Sequence, residues 1–198
     1  MPVQAPVLPR AKSAEATKQA ILTAARARFL QESYENVGLR DIAGDVGVDV
    51  ALVSRYFGSK EGLFREVLHD SSREDILPAD LRPAEMPAYL AKLFLTQGSE
   101  RNENVERLLI ILRSASSPAA SKVVSEALRK DVLTPFADRI GGDWPELGAS
   151  ASMAVWMGMT IMHTVFAVGG LCDQSPPIEA RLKALFEAAL FETRQNEV

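Results

Sequence analysis

Cysteine is nearly absent: Cys172 stands alone in 198 residues, so no disulfide can form within the chain and a disulfide-built secreted scaffold is excluded. Histidine is almost as scarce, with only His69 and His163. Such a supply makes no HExxH pair and no Cys/His cluster, and the 12 glycines spell neither a P-loop nor a dinucleotide fingerprint. The sequence is therefore expected to hold no metal, no cofactor and no catalytic residue. No run alternates apolar and polar residues as a half-buried strand does, and no internal repeat is visible. No basic stretch leading into a short apolar one opens the chain, which makes the cytoplasm the expected location.

What is present suits a soluble helical protein of one large or two small domains. Apolar residues make up 47% and charged residues 24%, enough to bury an ordinary core. The net charge of −4 is unevenly spread. Residues 1–65 carry nine Lys and Arg against seven Asp and Glu, and residues 66–198 carry thirteen against nineteen, the polarity of an anion-binding head on an acidic body. Residues 149–172 lack any formal charge, a length that reaches across a bilayer. Their serines and threonines, together with Gly158 and the absence of flanking Lys/Arg clusters, point instead to a helix buried on most of its circumference, and no membrane partner is expected.

Residues 1–12 hold Pro2, Pro6 and Pro9 without periodicity and read as a flexible arm, whose Arg10 and Lys12 suit either a phosphate backbone or plain solvation. From Ser13 the pattern turns helical. Ile21, Ala25 and Phe29 recur every fourth residue, predicting a helix over 13–33. A short helix fits 39–46, Gly47 permits a tight turn, Asp49 caps a third helix over 50–57, Gly58 stops it, and Ser59 caps a fourth to about residue 73. Pro78 and Pro83 mark a junction, giving a head at 13–75 and a body at 76–198. In the body, helices are expected at 87–98, 103–114, 119–140 with a kink at Pro135, 146–168 and 178–193. The fold class is all-α with about nine helices.

Two short helices joined by a three-residue turn containing glycine form a helix-turn-helix, whose second helix enters the DNA major groove, although the same pair also serves as inert scaffold. Here the residues resemble a family. Ile21-Leu22, Ala24-Ala25 and Phe29, then Leu39-Arg40-Asp41-Ile42-Ala43, Gly47-Val48-Asp49 and the block from Tyr56 to Phe64 are similar to the amino-terminal domain of TetR-family transcriptional regulators. The likeness runs from Thr17 to about Val67. Ser33, Gly38 and Val46 depart from the family's usual residues, and a glycine at 38 forfeits a hydroxyl cap and a phosphate contact.

Chemistry assigns roles to the same positions. Lys60, in the first turn of a helix, suits a phosphate clamp, because backbone N–H groups and an ammonium converge there on one anion, the alternative being a plain solvent-exposed lysine. Tyr56 can donate its hydroxyl to a phosphate, as the resemblance also implies. Arg55 suits either bidentate readout of guanine or a phosphate, and Ser54 either a base or a phosphate. Val50, Ala51 and Leu52 offer apolar contact to thymine methyls, while Arg40 matches a family position that often touches DNA. Ile42, Val48, Val53 and Phe57 belong to the core.

In the body, Leu112 to Ala115 and the long helix around Pro135 are similar to one branch of TetR-like effector domains. Met153, Trp156, Met157, Thr160 and His163 on one late helix form an adaptable surface that suits either an effector pocket or plain core. Phe94, Leu109, Arg113 and Phe136 are expected to complete that pocket. Ile178, Leu182, Leu185, Phe186 and Ala189 make a helical stripe with more apolar surface than one contact needs, and with the small Ala154 and Gly158 they predict a four-helix homodimer interface, the alternative being burial entirely within one subunit. The whole reading is a homodimeric, ligand-responsive repressor on double-stranded DNA with a palindromic operator and a small-molecule effector. Its alternatives are a constitutive DNA-binding protein whose body grips another protein and, last, an enzyme using His163 as a base.

Overall fold

The computed structural model describes residues 10–69, 77–96, 103–168 and 176–191. Residues 1–9 of the expected arm, the expected boundary at 75 and 76, and Cys172 lie outside the described residues, while residues 10–12 of that arm are instead helical. No strand occurs among those described, which fall into nine continuous helical stretches.

The first compact unit contains α1 (Arg10–Gln31), α2 (Leu39–Val46), α3 (Val50–Phe57) and α4 (Lys60–Leu68). Ile21, Ala25 and Phe29 all lie on the buried side of α1, as their spacing of four requires. Gly47 ends α2 in the left-handed region at φ 71°, and Gly58 ends α3 at φ 75°, conformations that a Cβ disfavours. Between them the Asp49 side chain accepts from the Ala51 N–H at 2.7 Å, and beyond them Ser59 Oγ accepts from the Gly62 N–H at 3.2 Å. These local signals account for two eight-residue helices where propensity alone sustains neither. Aromatic rings fill the centre: Phe64 meets Phe29 at 4.8 Å and Tyr34 at 5.0 Å, both edge to face.

The same unit includes residues 109–125, so the division does not follow chain order. These residues are the tip of a hairpin between α6 (Glu103–Ser114) and α7 (Pro118–Leu128). Ile110, Ala120 and Val123 join the core of Phe29, Tyr34 and Phe64. Their burial enlarges a small core, with Ile110 and Val123 each supplying roughly 1.5 to 3 kcal/mol.

The second unit gathers α5 (Met86–Thr96), α8 (Thr134–Ile140), α9 (Pro145–Thr160) and α10 (Pro176–Leu190) around Met86, Leu90, Phe94, Ile140, Ala149, Leu182 and Phe186. α7 runs into α8 through a π-helical turn, Arg129–Leu133. Its widening answers Pro135, which has no N–H and crowds the carbonyl four residues back, so a single wide turn stands where the kink is expected. A second π turn, Ile161–Val165, extends α9. α9 and α10 touch closely at Gly148, where a Cβ would stand 2.6 Å from the Leu190 carbonyl oxygen. The Arg139 guanidinium donates to the carbonyls of Leu77, Pro78 and Leu81 at 2.7, 2.5 and 3.2 Å, holding the segment that leads into α5. Within the uncharged run, Ala149, Ser152 and Met159 are buried, whereas Ser150, Ala154 and Gly158 are exposed, so this helix keeps an open face. No helix among the described residues is long and apolar enough to cross a membrane.

Candidate nucleic-acid interface and effector region

α3 is pinned by one face and open on the other. Val53 and Phe57 are buried, while Ala51, Ser54 and Arg55 are exposed on the opposite side and Val50, Leu52 and Tyr56 lie half-buried at its edges. The Tyr56 ring leans on Phe57 at 6.2 Å, so its position is set by the core. Arg40 projects from α2 and is exposed. Neither Arg40 nor Arg55 forms an ion pair with another described residue.

Arg28 differs from them. It is held bidentately by Asp45, at 2.5 and 2.8 Å, with Glu32 at 3.5 Å. The Arg28 hydrogen bond keeps the Asp45 carboxyl below its usual range, and the pair ties α1 to α2. α2 begins without a hydroxyl cap, as Gly38 dictates, but the Asp41 carboxylate reaches back to accept from the Gly38 N–H at 3.2 Å. Half of a capping exchange thus survives.

Lys60 is half-buried rather than extended into solvent. Its ammonium lies 4.3 Å from the centroid of the Tyr34 ring and donates to the Glu35 carbonyl at 3.4 Å. Burial lowers its pKa, with the charges of Glu35 and Glu61 opposing the shift. An ammonium has three donors, and only one of these is used by Glu35. Burial, helped by Glu61, pushes the Tyr34 phenol up to about 12.

Residues 32–38, between α1 and α2, carry this arrangement together with contacts to the hairpin tip. Arg113 Nη1 donates to the carbonyl of Gln31, the last residue of α1, at 2.9 Å. Ser117 Oγ donates to the Glu35 carboxylate and accepts from the Ala120 N–H at 3.2 Å, so one hydroxyl caps α7 and holds the loop. The available signal was Ser117 before Pro118, a cap followed by the first helical position. Nothing in the sequence marks Glu35 as its partner.

The residues expected to line an effector pocket divide. In the second unit Phe94 meets Trp156 at 5.7 Å and His163 at 6.1 Å, and Trp156 meets Phe186 at 6.0 Å. Phe136 packs against the same core. Met153, Met157 and Thr160 are half-buried on α9, and Thr160 Oγ1 donates to the Trp156 carbonyl at 2.9 Å. Leu109 and Arg113 fall in the first unit, where Arg113 donates to the Gln31 carbonyl.

The interface stripe also divides. Leu182 and Phe186 are 4% and 0% exposed, turned into the core of Met86, Leu90 and Phe94, so they do not form the open side of α10. Ile178 and Ala189 are half-buried. Leu185, Ala154 and Gly158 are exposed, as are Ala184 and Ala188.

Residues 21–67 match the family model of bacterial regulatory proteins of the tetR family, and residues 84–190 match that of the tetracyclin repressor-like C-terminal domain. The sequence matches no curated protein. Among solved structures, NalD of Pseudomonas aeruginosa, described as the secondary repressor of the MexAB-OprM multidrug efflux pump, is similar with 19% identity and a TM-score of 0.61 over 90% of this chain and 95% of that one. A candidate TetR-family regulator of Mesorhizobium loti shares 21% identity with a TM-score of 0.56, over 89% and 96% of the two chains. Another from a Rhodococcus species shares 16% identity with a TM-score of 0.59, over 88% and 98%. At such identities the structural likeness speaks for the fold.

Proposed function

The chain belongs to the TetR family of bacterial regulatory proteins and is a DNA-binding transcriptional regulator; from that premise we propose a homodimer that represses transcription at an inverted-repeat operator and is released by a small apolar effector. The observation that carries the DNA half is α3, capped at both ends and anchored by Val53 and Phe57, with Ala51, Ser54 and Arg55 turned outward. In a major groove the Arg55 guanidinium reads guanine O6 and N7, and Ala51 and Val50 meet thymine methyls. Arg40, Ser54, Tyr56 and Lys60 hold phosphates on either side, with Leu52 at the edge of the contact, fixing the register in which α3 reads.

Dimerisation rests on the open faces of α9 and α10. Leu147 and Leu185 are 65% and 46% exposed, and the small Ala154, Gly158, Ala184 and Ala188 allow helices of a second copy to approach closely. Such a twofold pairing presents two α3 helices to one duplex. Effector response rests on Phe94, Trp156 and His163, where aromatic faces and one imidazole suit an apolar molecule with a single polar group. A ligand that prefers the body conformation in which the two heads are wrongly spaced weakens operator binding by thermodynamic linkage. Repression is the sign that NalD's description supports.

The testing experiment is a titration of labelled duplexes recovered by selection from random sequence, at two salt concentrations. Tight, salt-dependent and sequence-selective binding by a dimer is expected. Equal affinity for every duplex would remove the operator reading.

A further inference from the structure

The loop between α1 and α2 is held from two sides by the α6–α7 tip and in turn holds the lysine placed on the DNA backbone. Along the chain, α6 passes from the second unit into the first at Leu109, and α7 passes back after Ser125. The residues between them make two polar contacts, one on the last residue of α1 and one on the loop. Arg113 grips the Gln31 carbonyl, and Ser117 grips the Glu35 carboxylate. Arg113 and Gln31 lie 82 positions apart, as do Ser117 and Glu35, so both contacts are tertiary. Glu35 faces both ways: its side chain accepts from Ser117, and its own carbonyl accepts from Lys60. Tyr34, beside it, supplies the ring under the Lys60 ammonium.

We propose that Glu35 is a positioning residue for Lys60, through which the α6–α7 tip sets the strength of backbone anchoring on DNA without touching base readout. The inference rests on the DNA-binding reading of Lys60 given above. When the tip holds Glu35, the loop carbonyl and the Tyr34 ring keep the ammonium at the start of α4, with donors left for a phosphate oxygen. When the tip releases Glu35, the loop relaxes and Lys60 loses its seat. Because α6 and α7 both continue into the second unit, a rearrangement of those helices has a covalent route to this one phosphate contact. Specificity stays with α3, which none of these residues contacts through a hydrogen bond.

The test compares Glu35→Ala with Glu35→Gln in the full-length chain on one selected operator duplex. Both variants lose the charge that repels DNA, but only the glutamine keeps an oxygen that accepts from Ser117. Glu35 is exposed, and the Ser117 cap on Ala120 is intact in both, so both variants are expected to fold, with thermal unfolding as the control. Glu35→Ala should bind about 2- to 10-fold more weakly than Glu35→Gln, the range of one net hydrogen bond. Its log–log salt slope should be smaller in magnitude, by up to about 0.9 for one lost phosphate contact. Placed on a Lys60→Ala background, the two Glu35 variants should bind alike. If Lys60→Ala is weakened while Glu35→Ala and Glu35→Gln bind equally, or if their difference persists without Lys60, the relay is overturned and the DNA reading stands. If Lys60→Ala binds like the wild type, the phosphate reading of Lys60 fails and the relay fails with it.

Discussion

Gly62 packs directly on Phe57: a Cβ at position 62 would stand 2.1 Å from the Phe57 carbonyl oxygen. The contact joins the first turn of α4 to the last residue of α3, and its obstacle is backbone, which cannot swing aside. Gly62→Ala should therefore force α3 and α4 apart, with a cost of roughly 1 to 3 kcal/mol or more from overpacking. Denaturant unfolding followed by circular dichroism measures it. A variant with unchanged midpoint would mean that the two helices separate freely.

The Tyr34 phenol, pushed up to about 12, predicts an alkaline weakness. Between pH 10, its ordinary value, and about 12, the unfolded chain releases the proton while the folded chain keeps it, so stability falls as pH rises through that window. Below it both states are protonated and nothing is lost. Tyr34→Phe should show a shallower fall over the same interval, read from unfolding midpoints at a series of pH values. Parallel curves would remove Tyr34 as the source.

Arg55 and Lys60 should fail in different ways. Arg55→Ala is expected to relax preference at one base pair, at a cost of roughly 1 to 3 kcal/mol when the arginine is bidentate to guanine. Lys60→Ala should weaken all duplexes alike and lower the salt slope by about 0.9. Binding profiles over a set of single-base operator variants distinguish the two; uniform loss from Arg55→Ala would assign it to phosphate instead.

Two adjacent residues of α10 give a paired test of the dimer. Leu185 is exposed and Phe186 fully buried. Leu185→Asp should leave the subunit folded but separate the copies, lowering operator affinity by roughly 10²-fold as bivalency is lost. Phe186→Asp should unfold the second unit, because a carboxylate without a partner enters its core. Sedimentation of Leu185→Asp as a stable dimer would move the interface elsewhere.

Much of the head is legible in sequence because its signals are local. Gly47, Asp49, Gly58 and Ser59 set the limits of α2, α3 and the start of α4 within one or two residues, since capping involves neighbours only. The far end of α4 is less so: it stops at Leu68, short of the expected residue 73, with His69 extended. Long-range features are hidden for a different reason. Periodicity shows that Leu182 and Phe186 share a face, but it cannot tell whether that face meets its own subunit or another copy. Likewise, that Ile110, Ala120 and Val123 join the core of the head is hidden from chain order, because apolar burial and not sequence proximity groups them. Lys60 is identifiable as a residue in the first turn of a helix. That Tyr34 lies beneath it depends on how α1 and α4 pack.

Selection from a pool of random duplexes with the full-length protein tests the central claim most directly. Two α3 helices related by a twofold axis enter successive major grooves on one side of the duplex, so the recovered site should be an inverted repeat with half-site centres roughly 34 to 36 Å apart or a multiple of that turn. Recovery of only an asymmetric single half-site, or of no common sequence at all, would contradict it.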